Sequence, residues 1–504
     1  MGLNKRKRVL YNLIVGIFGK ILLMVLGFLV PKLYIENYGS ELNGLLSSIA
    51  QVFSYLALLE AGVGTAATQA LYDPIAHNDT EKINGIMSAA SRFYKKTGVL
   101  YGLGVLIFAV VYPLVVKNTI GTSTVFLLIV LSGANGVLNY FFQAKYFSLL
   151  NAEGKGYVHV AIGTAISVIT TVSKIILLVL NADIVLIYLV YFVLALLQNL
   201  AIAIYIKRNY GSLNCNETPD TAALKQSNSV LVHQISSLIF SHTDVLILTA
   251  FCSLQTVSIY VVYNMVTESL GAVLNIVFGS FTAALGLTYQ EDKQRFKNYY
   301  DLFELGTWIL GFALMSVTLL LFTPFITLYT ANADISYVDN WLPLLFVICK
   351  LLSLLRMPGV TAVNVAGHFK ATQTRTIIES VINIVVSLIC VQFFGIYGVL
   401  FGTIAALFYR TTDFIVYTNQ NIVYRKPIHI IKRLLVNAVP AIGFVIIAHI
   451  LMPAITTVLD FILVGIVLTS VSFLLQIVGN YLSERKSDSV STFKGFVQNR
   501  FFKK

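Results

Sequence analysis

Eight ionisable side chains stand where hydrocarbon is expected. Lys20, Glu60, Lys174, Asp244, Glu268, Lys350, Arg356 and Glu379 all fall inside long apolar runs. On insertion scales a charge at the bilayer centre costs roughly 2.5–3.5 kcal/mol, so such residues pair with one another or face water. Lys20 is well inside the first run, Glu268 is mid-run, and Arg356 is deep in a run just before Pro358. Lys32, Lys145, Arg410 and Asp413 are nearer the run ends, where a long side chain reaches the interface at little cost.

Two chemistries suit this set. Lys20, Lys174 and Arg356, together with His233, offer positive charge to an anionic headgroup, and the guanidinium of Arg356 matches phosphate oxygens in bidentate geometry. Glu60, Asp244, Glu268 and Glu379 are candidates to bind a coupling ion, H⁺ or Na⁺, or to pair with cationic neighbours in a cavity. The plainer alternative is that all of these are structural pairs that fix helix packing. His233 and His242 lie in one run, where a histidine is most often simply hydrogen-bonded. Pro358 and Gly359 are a candidate hinge, or a pair that only shapes packing. No catalytic or metal-ligating constellation stands out.

The elements that position these residues are membrane helices. Of the 504 residues 57% are hydrophobic and 12% charged, and the mean hydropathy is +0.80. A soluble chain would carry about twice that charged fraction. Runs long enough to span roughly 30 Å of hydrocarbon recur from end to end. They segment as 9–35, 43–70, 97–117, 122–149, 157–180, 183–206, 226–250, 256–288, 305–328, 341–364, 371–394, 396–420, 433–454 and 457–482. The first is too long for a signal peptide and lacks a small-residue cleavage site, so a spanning helix is expected there. The four cysteines do not suggest a disulfide framework.

Charge sets the orientation. An even number of spans places both termini on one side. If that side is cytoplasmic, about 27 of the 35 lysines and arginines fall in inner segments, including Lys5 to Arg8 and the basic tail. The net charge of +12 is therefore spread over short loops facing anionic lipid headgroups, and nucleic acid is not expected as a partner.

Shifting the chain by about 213–214 residues superposes spans 1–6 on spans 7–12. The clearest local match is Asn151-Ala152-Glu153-Gly154 with Asn364-Val365-Ala366-Gly367. The expected fold is thus an all-α polytopic membrane protein of about fourteen transmembrane helices. Two pseudo-symmetric six-helix bundles, 1–208 and 209–424, flank a central cavity, and 425–504 adds two helices and a basic tail. A site is expected between repeats near the midplane.

There is no G-x-x-x-x-G-K-[ST] loop and no polar segment long enough for an ATPase domain. A membrane-embedded polysaccharide polymerase would call for a substantial outer loop, and the outer loops are short. A transporter that uses no enzymatic step and no cofactor, apart from a coupling ion, is the expectation.

The stretches Tyr38-Gly39-Ser40-Glu41-Leu42-Asn43-Gly44-Leu45 and Glu60-Ala61-Gly62-Val63-Gly64-Thr65-Ala66 are similar to the first hairpin of bacterial polysaccharide-export flippases. Gln143 to Gly156 looks like that family's turn between helices 4 and 5. These are the Wzx-type oligosaccharide flippases of the multidrug/oligosaccharidyl-lipid/polysaccharide (MOP) exporter superfamily. The layout covers essentially the whole chain. The resemblance implies translocation of polyprenyl-diphosphate-linked oligosaccharide to the outer leaflet of the bacterial plasma membrane, by ion-coupled alternating access (antiport). Glycosyltransferases and a polysaccharide polymerase would be partners. Lys20, Lys174 and Arg356 fit its cationic cavity by depth. A lipid-linked peptidoglycan-precursor flippase and a cation-coupled multidrug exporter remain open, the latter usually without the extra helix pair.

Overall fold

Backbone N–H and C=O groups find no water in hydrocarbon, so a chain this apolar must pair them within each segment. In a computed structural model, residues 5–60, 62–211, 213–215, 217–224, 228–425 and 428–484 are described. Side chains are described within those ranges except at 5–18, 20, 21, 228–234, 237, 276, 277, 280, 283, 428 and 484. Among the described residues all regular structure is helical: α1 (Lys5–Leu56), α2 (Val63–His77), α3 (Thr80–Val115), α4 (Thr122–Leu138), α5 (Ala144–Ala152), α6 (Gly156–Val179), α7 (Ile184–Asn209), α8 (Asn228–Phe251), α9 (Leu254–Glu291), α10 (Lys293–Tyr329), α11 (Leu342–Leu355), α12 (Met357–Ala366), α13 (Phe369–Phe394), α14 (Ile396–Thr418), α15 (Ile428–Leu451) and α16 (Val458–Glu484). Among the described residues twelve runs are long and apolar enough to cross a membrane. The first of them contains the non-helical Gly39, which divides α1 into two arms, and α8 contributes the shorter apolar stretch Leu238–Phe251. With the arms counted separately and α8 included, the described residues hold about fourteen candidate spans.

The chain groups into two compact units, 1–259 and 260–504. The boundaries 208/209 and 424/425 follow the repeat, whereas these units follow contacts, and α8 packs against α1. In the first unit, Asn37 Nδ2 donates to the Leu178 carbonyl (2.6 Å), and the Thr119 N–H donates to Glu41 (2.6 Å). The Gly39 turn therefore shares one end of the unit with the α3–α4 and α6–α7 turns. At the opposite end, Tyr210 donates to Glu153 (2.6 Å) and Asn84 Nδ2 donates to Glu217 (2.9 Å). Lys82, Lys155, Lys207 and Arg208 gather at that second end, in the alternation that the charges anticipate.

Gly39 has φ 84° and ψ 167°, a conformation that is essentially glycine's alone. Gly39→Ala should therefore destabilise the protein by about 1–3 kcal/mol. Gly27→Ala, on an open helix face, should be neutral or mildly stabilising. Thermal melting in detergent checks the pair, and an unchanged midpoint for Gly39→Ala would show that the turn tolerates a side chain.

In the second unit α13 and α14 form a hairpin through Gly395 (φ 54°). Gly398 and Gly402, four residues apart on α14, lie so near the α13 backbone that a Cβ at either would overlap it. This close approach presses the polar face of α13, which carries Glu379, against Arg410 of α14.

Candidate functional site

Arg356, expected as a cavity cation, belongs to a five-member cluster. It ion-pairs with Glu379, and Arg410 Nε lies 3.3 Å from the other Glu379 oxygen. Arg410 Nη1 reaches Asp413 at 2.5 Å and Arg375 Nη1 reaches the same carboxylate at 2.7 Å. Arg410 Nη2 also donates to Thr376 Oγ1 (3.0 Å), and its guanidinium stacks 3.8 Å over the Phe414 ring. Three guanidiniums share two carboxylates, so the cluster keeps one formal positive charge. Arg410 was expected to snorkel near a helix end, but it is 2% exposed and forms the centre of the network. α14 continues past Thr418 as a π turn to Val423, so Arg410 is farther from an end than the apolar run suggested.

The helix carrying Arg356 is broken there, with α11 ending and α12 beginning around it. Pro358 opens α12, and Gly359 is pressed against Phe414 of α14, where a Cβ would collide. In the first unit a π turn at Asn139–Gln143 interrupts the fourth span. The repeat offset carries those residues onto 353–357, so both fourth helices of the repeat are broken at one place.

A second cluster is balanced. Arg425 pairs with Asp301 and with Glu304 (2.5 Å), while Arg433 pairs with Asp301 (3.1 Å) and Glu304 (2.7 Å). Two cations and two anions close a neutral ring, with the Arg433 side chain fully buried. In the sequence Arg425 lies between two apolar runs and Arg433 stands at the very start of the second, so neither stands out as a charge inside a span. The signal passed over is the i, i+3 spacing of Asp301 and Glu304, which puts two carboxylates on one face of α10.

Lys350 pairs with Glu268 at 2.9 Å. Gly271 makes room for the Lys350 ammonium, which fills the space a Cβ would take.

In the first unit Glu60 ends a 3-10 turn between α1 and α2. Tyr94 donates to it (3.1 Å) and the Tyr140 hydroxyl, from the π turn, is also in hydrogen-bond range. Lys174 lies 4.3 Å from the Tyr191 ring centre and 5.3 Å from that of Tyr188. Neither residue has an ion-pair partner among the described residues. Lys174 is close to the end that holds the Gly39 turn, whereas Glu60 lies about 30 Å of helix beyond that turn. The two do not share a pocket. Asp244 is buried beside Tyr55. His242 hydrogen-bonds Gln51. Lys20 lies on α1 and His233 on α8, with side chains outside the described set.

The chain matches no protein-family model and no curated protein sequence. Solved structures do match. The lipid II flippase MurJ, in an inward closed conformation, aligns with TM-score 0.68 at 14% identity over 95% of this chain and 99% of that one. An inward-facing multidrug resistance MATE family transporter of the MOP superfamily aligns with TM-score 0.62 at 14% identity, over 79% of this chain and 95% of that one. The chain has the fold of the MOP superfamily. A third match is a MOP superfamily transporter from Pyrococcus furiosus, whose binding pocket is described as of reverse polarity. Its TM-score is 0.54 at 13% identity, over 82% of this chain and 96% of that one. At these identities the MOP likeness is one of fold, and residue roles rest on this chain's own geometry.

Proposed function

We propose that the chain is a Wzx-type flippase that carries a polyprenyl-diphosphate-linked oligosaccharide from the inner to the outer leaflet of the bacterial plasma membrane, for assembly of surface polysaccharide. The observation that carries this reading is the surplus guanidinium of the Arg356–Arg375–Arg410 cluster, since a buried cationic excess suits a phosphate-bearing cargo. Support for the lipid part comes from α15 and α16, the helices outside the repeat. Between them lies a cavity of about 700 Å³ walled by apolar residues such as Phe444, Ile447, Leu463 and Val467. Polyprenyl hydrocarbon fits such walls, and a water-soluble drug would not need them. Lys174, Lys20 and His233 are proposed as further cationic contacts. Glu60, with hydroxyl partners and no ion pair, is the foremost of the four carboxylates for H⁺ or Na⁺ coupling.

In a strain that depends on this protein, Arg356→Gln and Lys174→Met should each abolish surface glycan while the protein stays in the membrane. Normal display by both would overturn the cationic-cargo reading. Dissipating the proton or the sodium gradient separately in vesicles should stop transport in one case; transport that survives both would leave the carboxylates structural. A second reading, translocation of a lipid-linked peptidoglycan precursor, is favoured by the extent of the MurJ alignment. It predicts that this chain sustains growth of cells depleted of their own precursor flippase.

A further inference from the structure

The exposed residues of α9 fall on two opposite faces of different character. At 100° per residue Val273, Phe281 and Leu287 lie on one face, and these large apolar side chains suit hydrocarbon. On the opposite face run Asn264, Glu268, Ala272, Asn275, Gly279, Thr282 and Gly286, each exposed or half-buried. No large apolar side chain is among them. The row rises about 33 Å, close to the thickness of the hydrocarbon core. Two-thirds of the way along the spanning stretch Leu254–Asn275, the Glu268 side chain is 65% exposed, although its partner Lys350 is 11% exposed. An acid that open, turned to lipid, would cost roughly 2.5–3.5 kcal/mol, so this face meets water.

The face is also roomy and neutral. A Cβ at Gly279 or Gly286 would meet nothing within 4 Å. Glu268 and Lys350 cancel, which leaves amides, a hydroxyl and one ion pair as the groups on offer. That set donates and accepts hydrogen bonds without attracting an anion, unlike the arginine cluster. We propose that the Asn264–Glu268–Asn275 row of α9, with Lys350, binds the sugar hydroxyls of the cargo, leaving the diphosphate to the arginines. The inference rests on the flippase reading and assigns the part of the cargo that this face holds.

Two measurements test it. First, the native cysteines Cys215, Cys252, Cys349 and Cys390 are replaced by serine, and Asn275→Cys and Val273→Cys are made singly. A charged thiol reagent should label Asn275→Cys in membranes and spare Val273→Cys, which only an apolar maleimide should reach. Failure of the charged reagent at position 275 overturns the wet face. Second, the purified protein is titrated with bare polyprenyl diphosphate and with the same lipid carrying one N-acetylhexosamine. Asn275→Leu and Glu268→Gln should each weaken the glycosylated probe about tenfold, equivalent to about 1.4 kcal/mol, and leave the bare probe unchanged. Arg356→Gln should weaken both. Equal losses on both probes in the α9 variants overturn the sugar assignment. A wild-type protein that binds neither probe overturns the flippase reading itself, and the sugar assignment with it.

Discussion

Glu379→Gln is expected to destabilise the second unit by about 3–5 kcal/mol, because it leaves the buried Arg410 and the neighbouring Arg356 with one carboxylate, Asp413, for three guanidiniums. Arg410→Met should cost clearly less. Without Arg410 the cluster resolves into two matched pairs, Arg356 with Glu379 and Arg375 with Asp413, and the methionine stem still packs on Phe414. The sign of this asymmetry follows from the excess positive charge: removing an acid raises the imbalance, and removing a base cancels it. Melting curves of the two purified variants decide the matter. Equal destabilisation, or a larger loss for Arg410→Met, would show that the cluster is not governed by its net charge. Transport should behave differently from stability. Arg410→Met, although folded, should lose cargo binding if the surplus guanidinium is what the phosphate meets.

The balanced ring makes the opposite case. Glu304→Ala should cost about 3–5 kcal/mol, since the fully buried Arg433 then loses one of the two carboxylates it pairs with in the ring and shares the other, Asp301, with Arg425. Tyr300, buried beside it and hydrogen-bonded to Glu304 at 3.3 Å, loses its partner in the same step. The double variant Glu304→Ala/Arg433→Met should recover part of this, with a coupling energy of roughly 0.5–3 kcal/mol. No recovery in the double variant would mean that Glu304 acts through packing and not through the ion pair. The ring ties α10 to the start of α15, and α16 is tied to α15 by buried amides: Asn437 and Asn480 exchange hydrogen bonds at 3.2 and 2.8 Å. Its loss should therefore loosen the helix pair that walls the apolar cavity.

Much of this architecture can be read directly from residue order. The span positions, the Gly39 turn and the alternation of basic ends follow from hydropathy and charge, because in hydrocarbon the penalties for a misplaced charge or an unpaired backbone are large and local. The list of charges inside spans was equally legible. Their partners were not. Glu379 and Arg410 are 31 residues apart, and only the glycine-mediated approach of α14 to α13 shows that they touch. Nothing along the chain distinguishes Arg433, enclosed in a neutral ring, from a loop arginine, because the helix that buries it begins earlier than its apolar run.

The break of the second span at Glu60 and the π turn at Asn139–Gln143 were also hidden. Local backbone deviations of this kind are set by how neighbouring helices pack and leave the apolar pattern almost unchanged. By itself the sequence determined about how many apolar spans the chain has and most of the charges that lie within them, since both are settled by transfer energies acting residue by residue. Tertiary structure alone decided which of those charges neutralise one another and which keep an excess, because that depends on distances of a few ångströms between helices far apart in the chain.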